Sequence, residues 1–476
     1  MNRILMPILF FITVTICYSQ NKEKNYNDAF KLIEVWLDAQ KDFENIPSIT
    51  AMVLKDQNVL WSKAIGLSDI EKARQAKLST TNSICSITKS FTAVAIMKLV
   101  DDGKINLDDK VKDILPFYKT KPFSNDNATV RSLLSHSSGL PGNSGHSYYT
   151  GPDFIFPSKT EFRAIFKDLK TINKVGSDVN YSNIGYALLG EIIEETSGIP
   201  YDLFLKNEVL KPLKMSNTFM SSKTKNSLHN QATGYTAINR NRTRKRVNLF
   251  NTESMEPAMG LWTNINDLAK YASWQFRLQD ATSAEILKPS TLQNMHSVQS
   301  ISKDKKTTWG LGFEVFKGSN NENWVSHGGT CPGFVSLLQL NKTTKMAYGV
   351  LINANRARTF KYINGIKQIL SKAKNTINKE KLKSKINLNA YVGYYNMNPW
   401  NSLTYVSTWG NDLVMLQLPE NSPKYGMQFL RHVKDDTFRL VKQNGELGDK
   451  FTFQRDKDDK VYRYFEGGNY KNKVIE

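Results

Sequence analysis

Apolar residues recur every three or four positions from Tyr26 to about Phe43. Tyr26, Phe30, Ile33 and Leu37 carry the spacing with Trp36 beside them, which predicts an opening amphipathic helix ended by Pro47. The pattern then changes period. Ile49 to Gly66 alternates around Asp56-Gln57-Asn58, as a hairpin with a polar turn does. Thr88 to Val100 is mostly apolar and rich in helix formers, so it predicts a buried central helix stopped by Asp101-Asp102-Gly103. Further helices are expected over Val130 to Leu134, Lys159 to Lys170, Ile184 to Thr196 and Gly260 to Trp274. Strands are expected over Trp309 to Phe316, Gly333 to Asn341 and Met346 to Asn353, followed by a helix from about Phe360 to Ala373.

This order predicts an α/β (α+β) unit: an antiparallel sheet covered by helices, with a mostly helical lobe inserted over about 101–255. A lysine-rich linker, 372–387, follows. Beyond it, Leu403 to Trp409, Leu413 to Leu418, Gln428 to His432, Thr437 to Val441, Lys450 to Arg455 and Lys460 to Phe465 are short alternating runs separated by turn residues. They predict a small all-β, barrel-like domain over 388–476. Its aromatic residues Tyr391, Tyr394, Tyr395, Trp400 and Trp409 are expected to fill its own core or to meet a polymer.

The first residues stand apart. Asn2 and Arg3 precede the apolar run Ile4 to Ile16, and Cys17-Tyr18-Ser19 follows, the layout of a secretory signal peptide over 1–19. A lipid-anchored Cys17 is the rival reading, opposed by the bulky Ile16. The expected address is therefore exported, periplasmic or secreted, with the main domain over 20–371. Three cysteines in 476 residues exclude a disulfide scaffold and thiolate metal clusters. The 64 basic against 44 acidic residues give a net charge of +20, concentrated in Arg240 to Arg246 and Lys367 to Lys385. No stacking motif or reading helix accompanies these runs, so nucleic acid is not an expected partner, and peripheral contact with an anionic envelope remains open.

Three short motifs carry candidate chemistry. Ser86-Ile87-Thr88-Lys89 opens the central helix, and its spacing sets a hydroxyl and an amine one turn apart on one face. A desolvated lysine is held neutral and helps take the serine proton. Tyr181-Ser182-Asn183 precedes a helix: a phenolate favoured by a nearby lysine relays protons, and Asn183 orients that lysine and grips an amide. His327-Gly328-Gly329-Thr330 lies on an expected strand, where glycines suit a ligand approaching the backbone. The Thr330 N–H pairs with that of Ser86 around an oxyanion, and His327 supplies a donor at the pocket floor. Each motif alone also fits a surface serine, a capped helix start or a plain turn. His136 reads as a loop organiser. No G-x-S-x-G, H-E-x-x-H, dinucleotide or phosphate-loop pattern occurs.

The ordered set resembles the serine beta-lactamase and penicillin-binding family, class C side, with its related esterases and D-amino-acid peptidases. S-x-x-K, Y-x-N and H-x-G stand as Ser86–Lys89, Tyr181–Asn183 and His327–Gly329, supported by Gly103–Asp109, Leu133–Pro141, Pro257–Leu261 and Gly333-Phe334. The resemblance covers about Tyr26 to Leu370. It implies a five-stranded antiparallel sheet flanked by helices, a nucleophile at Ser86, a lysine base at Lys89, a tyrosine at Tyr181, and chemistry needing no cofactor or metal. His327 replaces the lysine usual in efficient lactamases, a largely neutral group for a full charge. Arg356, in Asn353-Ala354-Asn355-Arg356, resembles an arginine that class C members carry near a substrate carboxylate. The implied substrate is peptidoglycan-derived or another small amide or ester: a D-amino-acid peptide or amide first (carboxypeptidase or aminopeptidase type), then a carboxylic ester, then a lactam. A non-catalytic penicillin-binding or peptidoglycan sensor is the alternative of another class.

The resemblance also implies that Cys85 and Cys331 are neighbours, since some carbapenem-hydrolysing relatives bridge these motif-relative places. A bond across 246 positions removes up to about 5.5 kcal/mol of unfolded-state entropy. Two buried free thiols are the other outcome.

Overall fold

The computed structural model describes residues 26–120, 127–145, 147–221, 230–373, 386–396, 399 and 403–474. The expected leader, most of the linker and Trp400 lie outside these residues. The principal elements are helix α1 (Asn27–Phe43), strands β1 (Ser48–Lys55) and β2 (Asn58–Asp69), and helices α2 (Thr88–Asp101), α3 (Asn183–Ser197) and α4 (Ile265–Asp280). Strands β3 (Asn323–Cys331), β4 (Phe334–Asn341) and β5 (Met346–Ile352) and helix α5 (Thr359–Lys372) complete them.

These five strands pair antiparallel in the order β2-β1-β5-β4-β3. Short strands extend both edges: Arg74–Gln75 beside β2, and Glu314–Lys317, Thr308–Trp309 and Ser300–Ile301 beyond β3. The period-two alternation of β1 sends Met52 and Leu54 into one apolar core and Ile49, Ala51 and Val53 into another. Strands β4 and β5 divide in the same way, so both faces of the sheet are covered. On one side lie α2, α3, α4 and the helical lobe; on the other lie α1 and α5. Helix α2 is buried on nearly every side, as its composition predicts.

Two expected elements differ. Gly260 to Trp274 is not one helix: Leu261–Thr263 is a short strand against Asn82–Ser83 and Phe219–Met220. Helix α4 begins only at Ile265, where the Asn264 side chain accepts from the Asp267 N–H at 2.9 Å. Trp309 to Phe316 is likewise broken into two strands. Gly312 turns the chain with φ +84°, and a Cβ there would sit 2.4 Å from that of Ala93 on α2.

The basic run near residue 242 is used inside the protein. Arg242 donates to the Phe43 carbonyl at 2.6 Å, and Arg244 to the carbonyls of Asn45, Thr236 and Asn355 at 2.6, 2.8 and 2.9 Å. Cations beside the carboxyl end of α1 complement its unpaired carbonyls and macrodipole.

The tail closes an eight-stranded antiparallel barrel from Gly393–Asn396 to Asn469–Val474, the last strand pairing with the first. Asn469–Val474 was not expected, because its sequence lacks apolar alternation. It pairs because closure removes two open edges. Tyr391 and Tyr395 fill the barrel core. Tyr394 and Trp409 pack instead with Val414, Leu416 and Leu418 against the α1 and α5 side.

Candidate active site

Ser86 sits in a single turn, Cys85–Ile87, that runs into α2. Cys85 has φ +50°, so the chain bends sharply just before the serine. The sulfurs of Cys85 and Cys331 are bonded, with Cα atoms 5.6 Å apart, which ties this turn to the end of β3. Gly329 on β3 faces the same turn: a Cβ there would lie 2.2 Å from the Ile84 carbonyl oxygen. Its glycine is therefore demanded by backbone contact within the protein. Gly328 is exposed, and an added Cβ there would meet only ordinary contacts.

Lys89 is fully buried, and its Nζ lies 3.2 Å from Ser86 Oγ, 2.7 Å from Asn183 Oδ1 and 2.8 Å from the Ala258 carbonyl. Burial pushes its pKa well below the usual lysine value. The two carbonyl oxygens can only accept, so a neutral amine donates to both and turns its lone pair toward the serine hydroxyl. Asn183 is held in turn, its amide donating to Asn143 Oδ1 at 2.8 Å and Tyr149 Oη at 3.2 Å.

Tyr181 hydrogen-bonds Ser86, and Lys89 lies 4.8 Å from its ring centroid. Burial outweighs that hydrogen bond and raises the phenol's pKa, so the tyrosine is a neutral phenol. This corrects the expectation of a favoured phenolate; the neutral partner poised to accept a proton is the lysine. His136 holds the tyrosine motif in place: its Nδ1 accepts from the Ser182 N–H at 3.1 Å and its ring lies 4.3 Å from that of Tyr181.

His327 is buried, with Nδ1 2.7 Å from the Gly328 carbonyl. That oxygen accepts, so Nδ1 carries the proton and Nε2 presents a lone pair. Nε2 has no partner among the described residues. Desolvation by burial depresses the ring's pKa to about 3. The expected donor at the pocket floor is therefore an acceptor, and a neutral one. Arg356 is also corrected. It is exposed and absent from the cleft lining, which includes Thr359 and Phe360 from the start of α5.

A cleft of about 510 Å³ joins these groups, with Ser86, Tyr181, Asn183, His327, Gly328, Gly329 and Thr330 on its walls. Strand β3 pairs with Glu314–Lys317 only as far as Ser326, so among the described residues its edge from His327 to Cys331 has no strand partner on the cleft side. Ala258, Tyr149, Trp309 and Glu314 join the site without having been singled out in the sequence. The Pro257–Leu261 phrase marked the first, but a carbonyl acceptor has no side-chain signature; the other three are aromatic or acidic residues in runs that read as ordinary strand or loop.

A protein-family model described as Beta-lactamase matches residues 36–367. Protein flp of Staphylococcus aureus (strain MRSA252) is 29% identical over 336 residues, which cover 69% of this chain and 63% of that protein. The chain thus matches less than two thirds of that relative's length. Among solved structures, the octameric penicillin-binding protein homologue from Pyrococcus abyssi aligns with TM-score 0.66 and 24% identity over 93% of this chain and all of that one. A D-stereospecific amidohydrolase from Streptomyces sp. aligns with TM-score 0.59 and 22% identity, covering 71% of this chain and 97% of its own. These structural likenesses are likenesses of fold.

Proposed function

The chain belongs to the beta-lactamase family, and on that premise we propose that it is a serine hydrolase working through an acyl-enzyme on a D-amino-acid peptide or related amide. The observation that carries this reading is the setting of Lys89: buried, donating to two fixed carbonyls, and 3.2 Å from Ser86 Oγ. Ser86 attacks the substrate carbonyl as its proton passes to Lys89. The N–H groups of Ser86 and Thr330 hold the oxyanion, and the Tyr181 phenol hands a proton to the leaving amine. Water then attacks the ester by the same route in reverse and frees the acid.

An amide substrate is supported by the open β3 edge, which offers main-chain donors and acceptors to an extended peptide. The neutral His327 and the outlying Arg356 give a lactam carboxylate no cation, so an ester ranks before a lactam. Export is part of the proposal: the leader pattern and the bonded cysteines both suit an oxidising compartment. The test is intact mass after exposure to activated esters and a reactive lactam, followed by hydrolysis of D- and L-aminoacyl amides. A covalent adduct mapped to Ser86 and turnover of a D-substrate are expected. Turnover surviving in Ser86→Ala would overturn the assignment, and a lasting adduct without product release would favour a sensor.

A further inference from the structure

Glu314 lines the same cleft and has no part in the chemistry above. It begins the short strand Glu314–Lys317, opposite Ser326 in register on one side and Trp309 on the other. The Ser326–Glu314 pair is the last before the β3 edge opens, so Glu314 stands where a substrate would enter that edge. Its carboxylate is half-buried and makes no hydrogen bond or ion pair among the described residues. Burial raises its pKa, with no neighbouring cation acting against it.

The remaining lining agrees in sign. Among the described residues the wall holds one carboxylate and no lysine or arginine, since Lys89 lies behind Ser86 and Arg356 lies outside. Trp309 and Tyr181 offer aromatic faces to it. Glu314 and these faces attract a cation, whereas the other polar side chains of the wall are neutral and none carries a positive charge. A half-desolvated carboxylate without a partner is costly alone and gains most from a charge-assisted hydrogen bond.

We propose that Glu314 is a specificity residue that binds a protonated amine on the substrate, so that the cleft selects ammonium-bearing amides or esters over neutral or carboxylate-bearing ones. This rests on the hydrolase reading and names its substrate class. In the bound complex the ammonium donates to the Glu314 carboxylate near the Trp309 ring.

The test compares kcat/KM for matched pairs of p-nitroanilides and esters, each with a free amine and with the amine acetylated, placing the amine on the acyl side in one set and on the leaving side in the other. At least one pair is expected to favour the free amine by about tenfold, which is about 1.4 kcal/mol. Glu314→Gln should reduce that ratio at least fivefold. Absence of a preference in both sets, or a preference that survives in Glu314→Gln, would overturn the proposal. A second measurement needs no variant: at constant ionic strength, butylammonium should protect wild-type Ser86 from a fluorophosphonate while butyrate does not, and equal protection would count against the proposal. If the fluorophosphonate does not label wild-type Ser86 at all, the hydrolase reading has failed, which is a separate result.

Discussion

Lys89 is the residue on which most of the site converges. Its two fixed acceptors, Asn183 Oδ1 and the Ala258 carbonyl, lose their donor if the amine is removed, at about 1–3 kcal/mol for each buried group left unpaired. Lys89→Met should therefore lower stability and slow acylation by about 10²–10⁴-fold, read as the burst rate with an activated ester. Because burial lowers the lysine's pKa, the rise of acylation with pH should fall well below the range of a free lysine. His327 makes a separate prediction about stability. Its folded pKa of about 3 lies below the unfolded value of 6.5, so the unfolded chain binds the extra proton between them. The stabilising contribution is fully present above pH 6.5 and is lost as pH falls toward 3, amounting to at most about 5 kcal/mol. His136 and His296 are depressed in the same direction. Denaturant midpoints should drop between pH 7.5 and pH 5, and His327→Gln should flatten that slope. At this level Ser86, Lys89, Tyr181 and Asn183 were legible because side-chain type and spacing define them. The tautomer of His327 was not, since it depends on one carbonyl 2.7 Å away.

Between elements, the site depends on how closely α3, the short helix Glu256–Met259 and the Ser86 turn approach one another. Gly190 on α3 faces Pro257, where a Cβ would lie 2.1 Å from the proline Cγ. Gly190→Ala must push α3 from the Pro257–Ala258 segment, and these carry both of the carbonyl groups that hold Lys89. The expected cost is about 1–3 kcal/mol of overpacking, with slower acylation as a second consequence. Chemical denaturation and burst kinetics read the two effects separately. The Cys85–Cys331 bond joins the Ser86 turn to β3. Peptide mapping after alkylation should find neither cysteine modified before reduction, and reduction should lower the thermal midpoint, by less than the bound of about 5.5 kcal/mol implies. Modification of both thiols in unreduced protein would refute the bridge. Element type was readable wherever period and length were unambiguous, as in α1, α2 and β1. It was misread at Leu261–Thr263, where an apolar triplet adjoining a helix joins a strand through partners distant in sequence.

The whole molecule assigns the barrel a position away from the chemistry. Its strand Asp412–Leu418 is buried on both faces, Leu413 and Met415 in the barrel core and Val414 and Leu416 against the α1 and α5 side. Trp36 and Gln40 of α1 donate to the Glu420 carbonyl at 2.7 and 2.9 Å, and Thr408 donates to Asp28 at 3.0 Å. No described residue of the barrel lines the cleft. Removing 388–476 should therefore expose the apolar faces of α1 and α5 and lower the midpoint of unfolding or cause aggregation, measurable by light scattering during a thermal ramp. A change confined to KM, with stability intact, would contradict this placement. The sequence by itself determined the order of elements, the three motifs and a β-rich tail, because helical and strand periods and short motifs are local properties of the chain. Only the tertiary structure decided that Tyr181 is a neutral phenol, that His327 accepts, that Arg356 lies outside and Glu314 inside, and that the barrel packs on the far helices. Each of these depends on desolvation, on the orientation of a neighbouring carbonyl or on how separate elements pack together, none of which side-chain type and spacing encode.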